Sequence, residues 1–188
     1  MNTLVSLSDI VQAFKNFIYE RTGIMPVYAP PHRVLAQKKN DNDVIISVFI
    51  VSQEERGVFR SPSGYVDNTK RDVRVSTFVN YLLTFQIDII GKGRDTIKQV
   101  EETYRKMFIR IPSQQYENFG SGKLFSVLEV GGHSFHIWLD STEDLTDLEP
   151  QEELRIPRRT ITVSCDCVVA FEDSSVKTII TPDVSVNS

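Results

Sequence analysis

The residues best suited to metal or nucleophilic chemistry are two cysteines, Cys165 and Cys167, and three histidines, His32, His133 and His136. Their spacing argues against either use. In a strand, residues i and i+2 share a face and lie about 6–7 Å apart. A disulfide needs Cα atoms at about 4.4–6.8 Å and converging Cβ vectors. The pair therefore reads as two small buried apolar residues in a reducing compartment. The histidines make no zinc-type spacing with the thiols, and an offset of three sets His133 and His136 on opposite faces of a strand. Gly91-Lys92-Gly93 would open a dinucleotide-binding loop only with a third glycine at position 96, where Thr96 stands. It reads as a helix-start turn. Ser61-Pro62-Ser63-Gly64 is no nucleophile elbow, because no strand leads tightly into it. Residues 140–153 hold seven acids and no base. They lack the central glycine of a calcium loop, which leaves a solvated acidic loop or a contact for a basic partner. These residues supply no catalytic group, no metal site and no cofactor site.

The elements around them are clearer. Residues 85–108 give a strand, a glycine break and a helix. Phe85, Ile87 and Ile89 alternate with Gln86 and Asp88, the period of a half-buried strand. Beyond the break, Ile97, Val100, Tyr104, Phe108 and Ile111 recur at helical spacing, and the helix is expected to end at Pro112. Glu101 and Glu102 stand four residues ahead of Arg105 and Lys106, the favoured order for helical ion pairs. An earlier helix spans residues 7–21, with Ile10, Val11, Phe14, Phe17 and Ile18 as its apolar stripe, Ser6 or Ser8 as cap, and Gly23 after its end. Pro26, Pro30 and Pro31 make an extended linker.

Residues 44–51 (VIISVFIV) read as a strand covered on both faces. Residues 53–72 are polar and read as a long hairpin loop. The following strand, residues 73–90, is long enough to call for a bend or bulge near Asn80. Residues 124–130 and 133–139 flank Gly131-Gly132, a hairpin signal. In residues 159–171, Ile161, Val163, Cys165, Cys167, Val169 and Phe171 alternate with polar residues. Trp138 and Tyr81 read as core or hairpin packing. The order is α-β-β-α-β-β-β. It gives one α+β domain over residues 1–172, a mostly antiparallel sheet packed by two helices. Residues 173–188 read as a tail or arm.

The chain has 188 residues and a formal charge of −4. That length suits one domain, able to bury roughly 70% of its unfolded surface. The charge argues against a free-standing nucleic-acid binder. No signal peptide is visible, and no run approaches the ~18 apolar residues of a membrane span. Synthesis and folding in a cytoplasm are the expectation.

The element order and the central unit resemble the tail terminator (neck terminator, or tail completion) proteins of tailed bacteriophages. The strand of residues 83–90, the glycine after it and the helix of residues 95–108 carry the resemblance, with residues 159–171 as the closing strand. The resemblance implies a structural virion protein with no catalytic role. It would form a ring, typically a homohexamer, at the head-proximal end of the tail, assembled in the host cytoplasm. The ring's partners would be the tail tube protein and the head connector or adaptor, and DNA would pass through the lumen without sequence-specific binding. A slightly acidic chain suits a conduit through which DNA must slide. Two other classes remain: another neck or tail part, such as a head-completion or tail tube protein, and a nucleic-acid-binding α/β domain. The second wants aromatic and basic residues on the open sheet face. The residues assigned to that face are Thr84, Gln86, Asp88, Thr160, Thr162, Ser164 and Asp166.

Two blocks of opposite charge complete the reading. Arg56, Arg60, Lys70, Arg71 and Arg74 outnumber Asp67 and Asp72, whereas residues 140–153, with Asp144, Asp147 and Glu149, are wholly acidic. Within one chain such blocks could pair. Between chains they would form a head-to-tail contact that closes into a ring.

Overall fold

The first helix begins where its cap demands. Ser6 and Asp9 form a reciprocal capping box: the Asp9 N–H donates to Ser6 Oγ at 3.2 Å, and the Ser6 N–H donates to Asp9 Oδ2 at 2.9 Å. Two orphan donors are satisfied at once. Helix α1 runs Leu7–Thr22 and ends at Gly23, whose φ of 75° lets its N–H turn back to the Tyr19 carbonyl. Ile10, Phe14, Phe17 and Ile18 are buried. The computed structural model describes residues 5–33, 44–63, 72–91, 93–108, 118–119, 122–145, 156–172 and 177–178.

After a two-residue strand β1 (Val27–Tyr28) come β2 (Val44–Ser63) and β3 (Asp72–Gly91), each 20 residues long. A single-turn 3-10 helix, Arg94–Thr96, leads into α2 (Ile97–Lys106). The remaining strands are β4 (Asn118–Phe119), β5 (Gly122–Val130), β6 (His133–Asp144), β7 (Arg158–Glu172) and β8 (Lys177–Thr178). They build one mixed sheet in the order β1-β2-β3-β7-β6-β5-β4, with β8 pairing the start of β3. Among the described residues, only the β1–β2 pairing is parallel. The fold is α+β, and the expected order holds for the long elements.

Five expectations need correction. Residues 53–63 are strand, not loop: β2 stays paired with β3 out to Ser63↔Arg74. The segment is polar apart from Gly57, Val58, Phe59 and Pro62, so no alternation betrayed it. The bulge expected near Asn80 lies on the partner strand, between Glu55 and Gly57, which flank Tyr81↔Asn80. Residues 140–144 continue β6 rather than opening a loop, and Lys177–Thr178 of the expected tail pairs with Asp72–Val73. Finally, α2 ends at Lys106 and presents a rotated face. Val100, Thr103 and Met107 are buried, while Ile97 is 46% exposed. Thr103 joins the buried face because its hydroxyl is satisfied by the Gln99 carbonyl at 2.7 Å. Ile111 and Pro112 lie outside the described residues.

Both helices pack on one face of the sheet. Phe14 stacks on Phe85 at 4.3 Å between centroids, Phe17 meets Phe125 at 5.7 Å, and Phe108 meets Phe125 at 5.6 Å. Ile46, Val48, Ile87, Ile89, Ile137, Ile161 and Val163 fill the same core. Each such side chain contributes about 1.5–3 kcal/mol on burial. Gly91 sits where β3 turns toward α2. A Cβ there would lie 2.0 Å from Thr96 Oγ1 and 2.9 Å from Val100 Cγ2, so close packing of helix on strand requires glycine. Gly131 and Gly132, with φ of 58° and 84°, make the tight β5–β6 turn as expected.

Candidate assembly surface

The strand register sets Asp88 opposite Thr160, Gln86 opposite Thr162, Thr84 opposite Ser164 and Leu82 opposite Asp166. The seven residues assigned to the polar face therefore do line the face away from the helices. That face is not simply solvated. Asp88 is fully buried, as are Ser47, Ile45 and Ile90 around it. Its carboxylate is well satisfied. Oδ1 accepts from the Thr160 hydroxyl at 2.6 Å and from Arg158 Nε and Nη2, each at 2.9 Å. Oδ2 accepts from Gln86 Nε2 at 2.9 Å. A buried carboxylate is tolerable only when paired and hydrogen-bonded in this way. Farther along, Ser164 donates to Asp140 Oδ2 at 2.6 Å. Asp166 is exposed.

Arg159 points to the opposite face from Arg158. It bonds Glu101 of α2 and Asp144 of β6, at 2.5 and 2.9 Å, and its guanidinium lies 5.4 Å from the Tyr104 ring centre. The Glu101 bond raises the Arg159 pKa further above its ordinary value. Glu101 thus serves β7 rather than Arg105. The expected Glu102–Lys106 pair is present at 2.8 Å. Periodicity alone gave no sign of the Arg158 and Arg159 contacts. The signal that could have found them is a pair of arginines at the start of a strand whose neighbour carries a buried-face aspartate.

The described ends of the two charged blocks can be placed by register. Asp144 pairs with Arg159 where β7 faces Ile89, and the Leu145 N–H donates to the Arg158 carbonyl at 3.0 Å, closing that end of the sheet. Arg74 lies at the other end of β3, opposite Ser63. Fifteen residues of strand separate Ile89 from Arg74, roughly 50 Å at the usual rise. Arg74 and Asp144 of one chain therefore lie at opposite ends of the sheet, whereas Arg56, between Glu55↔Tyr81 and Gly57↔Asn80, and Asp140, bonded to Ser164 opposite Thr84, lie nearer its middle. Arg56 is exposed and lies 3.8 Å from Glu54. Arg60 and Arg74 hold strand positions, and Lys70, Arg71, Asp147 and Glu149 lie outside the described residues.

Beyond the helices, β2, β3 and β7 continue as a three-stranded arm. β6 leaves β7 after Ile137↔Cys165, whereas β7 stays with β3 to Ser76↔Glu172. Phe59, opposite Phe78, is 58% exposed; Val58, opposite Val79, is 50% exposed; and Phe171 is 48% exposed. Val168 is exposed as well. These side chains lie on both faces of the arm. Among the described residues, β1 pairs with β2 only at Ser47 and Val48, so the outer edge of β2 is unpaired along the arm. Two bulges, Glu54, Glu55, Arg56 and Pro62 blunt most of that edge. Val58 and Phe59 are exposed apolar residues of that edge strand.

Cys165 and Cys167 are free and buried. Hydrogen bonding to Cys167, and then burial, push the Cys165 thiol well above its ordinary range, which makes it a poor nucleophile. Among the described residues, no group of three His, Cys, Asp or Glu is placed to hold a metal, and no helix is long and apolar enough to cross a membrane. No protein-family model matches the chain, and no curated protein sequence does. A solved structure similar to it is the sheath/tube terminator, in the extended state, of an extracellular contractile injection system (PVC), determined by cryo-EM. The two are 16% identical with a TM-score of 0.45; the likeness covers 99% of this chain and 64% of that one. This chain thus spans less than two thirds of that terminator's length.

Proposed function

We propose that this chain is a structural virion protein, a phage tail terminator. Copies would form a ring, a homohexamer in the implied family, at the head-proximal end of the tail. The ring would join the tail tube to the head connector and let DNA through its lumen, with no catalytic step. The observation that carries the reading is the arm. It sets apolar side chains on both faces and a strand edge in water, and a monomer leaves them uncovered. A second copy would cover them. Copies related by rotation keep one orientation, so the β7 side of one arm meets the β2 side of the next, a head-to-tail contact that closes into a ring. The element order and the strand-glycine-helix unit that resemble tail terminators give the ring its place.

Light scattering and negative-stain imaging of the purified protein test the assembly: closed rings are expected. In infected cells, disabling changes in the arm should leave heads and tails unjoined or tails of irregular length. Normal joining, with an enzymatic activity lost instead, overturns the reading.

A further inference from the structure

We propose that the groove between α1 and the β5–β6 hairpin receives Arg56 of the neighbouring copy, with Asp9 as its counter-charge; this rests on the ring reading above. The groove has a volume of about 320 Å³. Val5, Ala13 and Val130 give it an apolar floor, and the exposed Asp9, Gln12 and Asn16 stand on its rim. Among the described residues that line it there is no base. Ser6 bonds one oxygen of the Asp9 carboxylate, Oδ2, through both its hydroxyl and its N–H. Those bonds, the hydroxyl's first, hold the Asp9 carboxyl below its ordinary pKa, so it stays ionised, and Oδ1 is left as an acceptor. Gln12 donates to Asn16 at 3.0 Å, which leaves the Gln12 carbonyl oxygen as a second acceptor. A long cation suits such a place. Its apolar stem can lie on the floor while the charged head meets the rim, and a guanidinium brings several donors to a carboxylate and an amide oxygen together.

The strand register points to the cation. Val5 ties the groove to the arm, its carbonyl accepting from the Ala170 N–H of β7 at 2.9 Å. Across the same arm, Arg56 lies on β2 between the row Glu55, Tyr81, Cys167 and the row Gly57, Asn80, Val168. The groove and Arg56 thus stand on opposite sides of the arm, about three residues apart along it, roughly 10 Å at the usual rise. Rotation about a ring axis changes neither height nor radius. A neighbour whose β2 side meets this β7 side therefore brings its Arg56 to the level of the groove. Arg56 is exposed, and its pair with Glu54 at 3.8 Å is also in water, so exchanging that partner costs little. Partly enclosed, the new pair is screened by salt less than the exposed charges of the arm tips.

A charge exchange between two exposed positions of the full-length chain tests this. Arg56→Glu brings a second carboxylate to Asp9, and Gln12→Lys sets a base in the groove against Arg56. Each should weaken ring formation several-fold by light scattering while shifting the melting of the monomer little, because both positions are exposed. The two changes together restore the attraction and should return assembly toward the native level, as sites in contact do. Effects that simply add, with rings still forming, overturn the contact, leave the ring standing and free the groove for another partner. A native chain that forms no ring at any concentration overturns both.

Discussion

The base of the sheet and its arm are built from the same three strands, yet they are stabilised in different ways. At the base, β3 lies under two helices on one face and carries a paired carboxylate on the other. Phe85 and Asp88 are both fully buried there. In the arm the same strand runs on with Phe78 beside an exposed Phe59, and no helix follows it. The base buries its apolar surface within one chain, so it can fold alone. The arm has only its ladder hydrogen bonds and a thin apolar row, and a two- or three-stranded ribbon is marginal in water. Surface left exposed on a marginal element is better explained by a partner than by stability of the monomer.

The contrast can be broken first by substitution in matched pairs. Phe85→Ala should cost about 3–5 kcal/mol of monomer stability, through lost burial and a cavity under α1. Phe59→Ala should change the monomer by less than about 0.5 kcal/mol and instead weaken ring formation. Urea melts and light scattering on both variants measure the two effects. Similar destabilisation by both would mean that the arm is covered within its own chain.

The polar side of the base gives the next largest effects. Asp88→Ala removes the carboxylate that Arg158 and the Thr160 hydroxyl bond, and should cost about 3 kcal/mol, the low end for a broken buried pair because Arg158 still reaches water. Gln86→Ala removes one bond to the same carboxylate and should cost only about 0.5–1.5 kcal/mol. Thermal melts that rank Gln86→Ala above Asp88→Ala would show that the network is not centred on Asp88.

Most of the base was legible in the sequence, because burial on one face leaves a period. The helix stripe of Ile10, Phe14, Phe17 and Ile18, the alternation of Phe85, Ile87 and Ile89, and the Gly-Gly turn each follow from one local rule. The rotated face of α2 was not legible, since Thr103 reads as polar until its hydroxyl is seen bonded to a carbonyl one turn back. The arm was hidden for a different reason. Residues 53–59 are exposed on both faces apart from the half-buried Gly57, so their sequence carries no period, and the strand state of residues 53–63 comes from pairing with β3. The Asp88 network was half visible: alternation placed the aspartate on the polar face, but its burial depends on Arg158, seventy residues away.

The smallest effect to measure is also the one that orients the copies. The sequence pairs a basic stretch with an acidic segment, and the register sets Arg74 and Asp144, one from each, roughly 50 Å apart along one sheet. Between chains the two blocks would meet with arm tip against the closed end of the next copy, through Arg60, Arg71, Asp144, Asp147 and Glu149. Arms side by side make the opposite arrangement, in which like-charged tips neighbour one another. Exposed pairs are worth about 0–1 kcal/mol each, so apolar contacts must supply most of the affinity in either case, and charge sets rate and orientation. The salt dependence has opposite signs in the two arrangements. With arms side by side, raising ionic strength screens repulsion between tips and should modestly strengthen assembly, and Arg60→Glu with Arg71→Glu should not slow it in low salt. If salt and the double reversal both weaken assembly in a light-scattering titration, the copies instead meet tip to base. The Val58–Arg60 edge would then have to pair with something other than the β7 edge of its neighbour.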